Sequence, residues 1–172
     1  MGKKVVAIAV FILLIVATYY FYKSNELYGN DEASIIEVIN SFDDYEDKQI
    51  EILKINDFDD VRIVAFLSNN KPSYIEFTKN KKGNFTWRYI ESRNDESFSM
   101  FLPLGSTKIM FVTNYESDIA KMQVDINGET VEQYFTPYQA TVMWTDLQQT
   151  NKDTYEYRNY KYYDENGEQI ER

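Results

Sequence analysis

Hydrophobic positions change their spacing along this chain. From Val5 to Tyr22 they run on with no formal charge between them. At Ile35, Val38, Ile39 and Phe42 they fall at i, i+3, i+4 and i+7, the stripe of one helix face, which predicts a helix from about Glu32 to Phe42. From "QIEILKI" onward they alternate with polar residues at a period of two, the spacing of strands with one face turned inward.

The first run is long enough for a membrane. Its eighteen residues, at the helical rise, cover roughly 27 Å, close to the thickness of a hydrocarbon core. Val5, Phe11, Leu14 and Val16 belong to its apolar body, and Tyr19, Tyr20 and Tyr22 cluster at one end, where amphipathic rings sit at headgroup level. Lys3 and Lys4 precede the run and Lys23 alone follows, so the positive-inside rule places the N-terminus in the cytoplasm. A buried helix of a soluble body does not suit a run that is apolar on every face. A cleaved signal peptide competes, but Ile15-Val16-Ala17 offers a single small residue and the apolar stretch continues beyond it. With no cysteine in the chain, a lipoprotein anchor is excluded, and Val6 stands where a myristoylation signal needs Ser or Thr. Residues 1–23 are therefore expected to hold the chain in the lipid bilayer as a single-pass anchor, with the C-terminal part extracytoplasmic.

Residues 24–30 read as a linker, and Asn30 or Asp31 as the helix cap, with Glu32 favouring the positive helix end. "QIEILKI", "VRIVAFL", "SYIEFT" and "FTWRYIE" are β-branched and aromatic runs separated by "NDFDD", "SNNKP" and "KNKKGN". Connections this short make the pairing antiparallel, and both faces of "VRIVAFL" are apolar enough for an interior strand. "MFLPLGST" marks a boundary, since Pro103 and Gly105 interrupt a ladder. New runs follow in "KIMFVTNY", "AKMQVDI", "ETVEQYF", "ATVMWTDL", "YEYRNYKYY" and "EQIER", with hairpin signals at Asn127-Gly128 and Asn166-Gly167. The predicted fold class is α+β and mostly antiparallel β: the transmembrane helix, then one helix plus a β-meander over residues 31–103, then a small immunoglobulin-like β-sandwich over residues 104–172. The same strands also fit one larger sheet system.

Composition narrows the chemistry more than it assigns it. The chain has 172 residues with neither His nor Cys. Thiol catalysis, Ser-His-Asp triads, imidazole proton transfer and ordinary zinc sites all lack a required residue, and the fold must hold by packing without disulfides. All 28 acidic residues lie beyond Lys23, with all but three of the 18 basic ones. Such a surface repels phosphate backbones and anionic headgroups, so no nucleic-acid partner is expected. Asp43, Asp44, Glu46 and Asp47 precede the first strand, and Asp57, Asp59 and Asp60 sit in the next turn. They offer oxygen ligands for Ca²⁺ only if those loops meet; their spacing is not that of an EF-hand, nor does "DENG" at Asp164 to Gly167 carry the later ligands. Solvated turn carboxylates explain them as well. No catalytic residue, cofactor or metal ligand is assigned. "NFT" at Asn84 matches a glycosylation sequon, and Trp87 and Trp144 read as core anchors. Tyr155, Tyr157, Tyr160, Tyr162 and Tyr163 form the densest aromatic stretch: a candidate binding face for sugars or a peptide, or cross-strand packing.

"VRIVAFL" followed by "YIEFTKNKKGNF", with "FVTNYESDIAKMQVDINGE" and "YYDENGEQI", resembles single-pass, membrane-anchored extracytoplasmic proteins of Bacillus-type bacteria whose activity is uncharacterised. The resemblance spans most of residues 30–172 and implies an extracytoplasmic α+β then all-β layout, with no activity or catalytic residue to carry over. Abundant Asn, Lys, Ile and Tyr fit the AT-rich genome of a low-GC Gram-positive bacterium. The expected function is a non-enzymatic, membrane-anchored binding module of the cell envelope whose partner is an envelope protein or wall component. The alternatives are an exported carboxylate-based hydrolase and an auxiliary subunit of a larger membrane complex.

Overall fold

The computed structural model of the chain describes residues 8, 11–16, 27–94, 96–104, 106–147 and 154–171. Residues 11–16 are helical, and Phe11, Leu14 and Val16 among them are exposed. Among the described residues no helix is long and apolar enough to cross a membrane. Lys3, Lys4, Val5, Tyr19, Tyr20 and Tyr22 lie outside the described residues.

Helix α1 (Glu32–Asn40) begins where Asp31 accepts the Ser34 backbone N–H at 2.9 Å while the Ser34 hydroxyl accepts the Asp31 N–H, a reciprocal cap. It ends short of the predicted Phe42, with the Ser41 hydroxyl donating to the Val38 carbonyl at 2.6 Å. Phe42 stays beneath the helix and meets Trp87 edge-on at 4.9 Å.

The rest is mostly antiparallel β. Strands β1 (Ile50–Phe58), β2 (Val61–Ser68), β3 (Lys71–Lys79) and β4 (Phe85–Ser92) form a meander in the order β1-β2-β3-β4. Strand β1 runs past the expected end through Asn56, Asp57 and Phe58, because Asp59 takes a φ of 52° and lets two residues close the turn. Asn69 and Asn70, at 49° and 64°, close the next hairpin in the same left-handed region.

The remaining strands are β5 (Phe98–Phe101), β6 (Lys108–Thr113), β7 (Lys121–Ile126), β8 (Glu129–Tyr134), β9 (Thr141–Asp146), β10 (Tyr157–Tyr163) and β11 (Gln169–Ile170). They make a three-stranded sheet, β5-β6-β9, and a four-stranded one, β11-β10-β7-β8. Strand β5 has no counterpart in the sequence reading, since four residues are too few to display an alternation. It lies before Pro103 and pairs with β6 beyond it, so the three-stranded sheet bridges the point where the sequence suggests a boundary.

Alternation along the strands stacks these parts as four layers. Ile35, Val38 and Ile39 of α1 pack on Val64, Phe66, Ile75 and Phe77. The opposite face of the meander presents Ile63, Ala65, Leu67 and Tyr74 to Phe101, Met110 and Val112. Phe98, Ile109 and Phe111 then face the other way, onto Met122, Val124 and Ile126 of the four-stranded sheet. The middle sheet is thus covered on both sides, and every residue from Ile109 to Thr113 is buried.

Directed polar contacts fix how the chain enters this stack. Arg62 donates to the carbonyls of Gly29 and Asn30 at 2.8 Å each and to both carboxylate oxygens of Asp57 at 2.7 and 2.8 Å. Its guanidinium lies 4.0 Å from the Phe85 ring centre. The Gly29 N–H donates to the Phe85 carbonyl at 2.8 Å, and a Cβ at Gly29 would overlap the Phe77 ring. Two residues of the expected linker are therefore docked onto the meander.

Phe111 is buried in the middle sheet. Replacing it with Ala is expected to lower the unfolding free energy by about 3–5 kcal/mol, read from urea denaturation.

Candidate functional site: a cleft between two sheet edges

The two sheets formed by β5 to β11 each end in a short strand on the same side, β5 in one and β11 in the other. Between them lies an open cleft of about 870 Å³. Its floor is apolar: Phe98 and Tyr162 meet edge-on with ring centres 5.6 Å apart, and Ile170 packs against the same core. Its walls are polar, with Glu96 and Ser99 on the β5 side and Gln169 and Glu171 on the β11 side. The Ser99 hydroxyl donates to the Glu96 carboxylate at 2.7 Å, which holds that charge at the rim. No cationic side chain lines the cleft among the described residues.

Strand β10 supplies the tyrosines, and a bulge decides where each one goes. Pairing with β7 shifts register between Arg158 and Lys161, and Asn159 has a φ of 55°. The shift breaks simple alternation, so Tyr157 and Tyr162 both pack against the core although they stand five positions apart, a spacing that would otherwise put them on opposite faces. Tyr160 and Tyr162 line the cleft. Tyr160 keeps 42% of its surface exposed, and partial burial pushes its phenol above the ordinary value. Tyr155 is half-buried beside Tyr157, 6.4 Å between ring centres. Tyr163 donates to Gln123 at 2.8 Å and carries the Lys121 ammonium over its ring at 4.3 Å. The five residues thus do not form one platform; two of them border one cavity.

The acidic loops do other work. Asp43, Asp44, Glu46 and Asp47 are exposed in the turn after α1, and Asp57 is taken up by Arg62, whose hydrogen bonds hold its carboxyl below the usual range. Asp164 accepts backbone N–H groups from Asn166 and Glu168 at 2.9 and 2.8 Å, so "DENG" is a self-bonded turn. Among the described residues no three acidic side chains gather to hold a metal ion. Trp144 donates to Asn56 at 3.2 Å and packs on Phe58, whereas Trp87 lies on edge strand β4 with 50% of its surface exposed, less buried than its pattern suggests.

Glu76 is a charged residue that the alternation of "SYIEFT" gives no reason to single out. It is fully buried where the meander meets the middle sheet. One carboxylate oxygen accepts the Leu104 N–H at 3.0 Å. The other lies 3.1 Å from Arg88 but outside hydrogen-bond alignment, so that contact is coulombic. Desolvation pushes the Glu76 carboxyl above its ordinary value of 4.5, against the pull of Arg88 and of the Leu104 N–H. Glu76 thereby ties the β5–β6 connection to the meander.

Comparison with family models, with curated proteins and with solved structures finds no match to this chain.

Because the Glu76 carboxyl titrates above 4.5 in the folded chain, the folded state there holds a proton that the unfolded chain has released. Its contribution to stability falls as pH rises through that window. Glu76→Gln is expected to remove this fall, seen as a pH-dependent difference between the two proteins in urea denaturation across the weakly acidic range.

Proposed function

We propose that the chain is a membrane-anchored, extracytoplasmic binding module of the cell envelope, non-enzymatic, whose ligand sits in the cleft between β5 and β11. The observation that carries this reading is the cleft itself. It joins an apolar floor, a carboxylate rim and the part-exposed Tyr160, whose hydroxyl has no hydrogen-bond partner among the described residues. A concave site that joins an apolar floor to convergent polar groups is what ligand recognition uses.

In this reading β5 to β11 form an immunoglobulin-like sandwich. Lettered in chain order as A, B, C, C′, E, F and G, they give the sheets A-B-E and G-F-C-C′, an arrangement in keeping with that class. The inter-sheet disulfide of antibody domains has no counterpart here, and the aromatic contacts among Phe98, Phe111, Phe135 and Tyr162 occupy the space between the sheets.

The membrane part of the reading rests on the uninterrupted apolar run, on the exposed apolar side chains of the helical residues 11–16, and on the resemblance to envelope proteins of Bacillus-type bacteria. The Arg62 clamp supports it, because it secures residues 29 and 30 directly after the expected tether. That clamp sits near the β1–β2 turn. Strand β5 starts near the β2–β3 turn at the other end of the meander, where Asn114 bonds both Ser97 and Asn70. The mouth of the cleft beside Glu96 therefore opens at the opposite end of the meander from residues 29 and 30, the end that this reading turns away from the bilayer. An envelope protein or a wall component is the partner class this placement favours.

Protease added to intact cells is expected to digest the body beyond residue 30; complete protection overturns the extracytoplasmic placement. A photo-crosslinking side chain at position 160 is expected to capture an envelope protein or wall fragment in living cells, and the same side chain at exposed Trp87 is not. Equal capture from both positions, or none from 160, rejects the cleft as the binding site.

A further inference from the structure

We propose that the cleft takes an extended peptide segment bearing basic side chains, which adds as an outer strand to the free edge of β5. This rests on the cleft being the module's binding site and goes beyond it by fixing what the occupant is made of.

The ladder itself shows which peptide groups are on offer. In an antiparallel pair, residues alternate between those that bond across the ladder and those whose N–H and C=O point outward. The Asn114 N–H donates to the Ser97 carbonyl at 2.9 Å, which sets the phase: Ser99 and Phe101 bond to β6, while Phe98 and Met100 turn their peptide groups away from it. Both of these residues line the cleft. The same phasing on the other side, set by the Asp164 N–H donating to the Glu168 carbonyl, turns Gln169 outward, and it too lines the cleft, with Glu171 just past the end of β11. The cavity is therefore walled on both sides by peptide groups that have no ladder partner.

Exposed edges are usually blunted by lysine, proline or a bulge. The outer strands of the meander follow that rule: β1 carries a bulge between Ile52 and Lys54, and β4 carries one beside Arg88. Strand β5, Phe98-Ser99-Met100-Phe101, is short but has no lysine, no proline and no register shift. It is an edge left open to pairing.

Charge selects the occupant. Glu96 and Glu171 stand on opposite walls with no cation among the described lining residues, and the chain carries a net charge of −10. A second copy of the same chain would bring like charge to the seam, so edge-to-edge self-pairing is disfavoured, whereas lysine or arginine side chains alternating along an added strand would meet both carboxylates. A glycan would look for a platform of open aromatic faces, and the cleft offers one part-exposed ring, Tyr160, while Phe98 is buried and set edge-on against Tyr162. The row of peptide groups matches a peptide.

The test uses the full chain in detergent micelles, with amide exchange followed residue by residue. The probes are acetyl-(Lys-Val)4-amide and its acidic analogue, in which every lysine is glutamate. The lysine peptide at saturation is expected to slow exchange at Phe98 and Met100 about tenfold, a change worth one decade in an equilibrium constant, and to leave Ser99 and Phe101 unchanged. The acidic analogue is expected to leave all four unchanged. Met100→Pro, which removes an outward N–H that the β6 ladder does not use, is expected to abolish the protection. Should that variant unfold, Glu96→Gln with Glu171→Gln still decides the matter, since it keeps the Ser99 contact and is expected to weaken the lysine peptide roughly fivefold. Equal binding of both peptides, protection at β4 or β8 instead, or protection that grows with protein concentration in the absence of peptide overturns the proposal. If the peptide has no effect while the crosslinker at position 160 still captures a partner, the strand-addition proposal fails and the binding-module reading stands; if both fail, that reading falls with it.

Discussion

Burial of β6 on both faces is the constraint from which the other layers take their places. Ile109 and Phe111 reach one way, into the sandwich; Met110 and Val112 reach the other way, onto the meander. Burying a large apolar side chain stabilises by about 1.5–3 kcal/mol, so neither half of the chain could lose its neighbour without exposing a whole face of this sheet. The meander has the same need: α1 covers only the face that carries Val64 and Phe66, and the face carrying Ile63, Ala65 and Leu67 is covered by the middle sheet. The sandwich-like second half and the helix-covered first half are joined through one sheet.

Apolar contact sets which faces meet but not how they are aligned, since it has no direction. Alignment comes from a few polar ties made at layer boundaries. Glu76 reaches from the meander to the Leu104 N–H, Asn114 reaches from the end of β6 to the Asn70 carbonyl, and Trp144 reaches from β9 to Asn56. Each joins one sheet to the next. Arg62 does the same for the chain's entrance, gathering Gly29, Asn30, Asp57 and Phe85 about one guanidinium, whose planar fork suits a bidentate carboxylate and an aromatic face together.

The cleft is a consequence of this stacking. Two sheets packed face to face must each stop somewhere, and here they stop on the same side in strands of four and two residues. The cavity gains its polar character from backbone groups as well as side chains, and its acidity from Glu96 and Glu171, which lie far apart in sequence. The core behind it is aromatic, with the Phe98 ring set against those of Phe111, Phe135 and Tyr162. A ligand would therefore meet a preformed edge rather than one assembled on binding.

Much of the fold was legible in the residues alone. The stripe Ile35, Val38, Ile39 gave the helix, period-two alternation gave the long strands, and Asn127-Gly128 and Asn166-Gly167 gave their hairpins, because these signals are local and set by the geometry of neighbouring residues. The absence of His and Cys, likewise, closed off whole classes of chemistry without any coordinates. Strand β5 escaped notice because four residues cannot express a period, and the Tyr155–Tyr163 stretch looked like a single face because a bulge at Asn159 is invisible in a list of aromatics. The cleft was legible only in part, through Tyr160 and Tyr162. Its remaining walls come from Glu96, Ser99, Gln169 and Glu171, residues that only pairing across the sheets brings together. Sequence by itself determined the local elements and their inward faces; tertiary structure decided which faces share a core and which edges stay open, since both depend on contacts between residues that no local pattern connects.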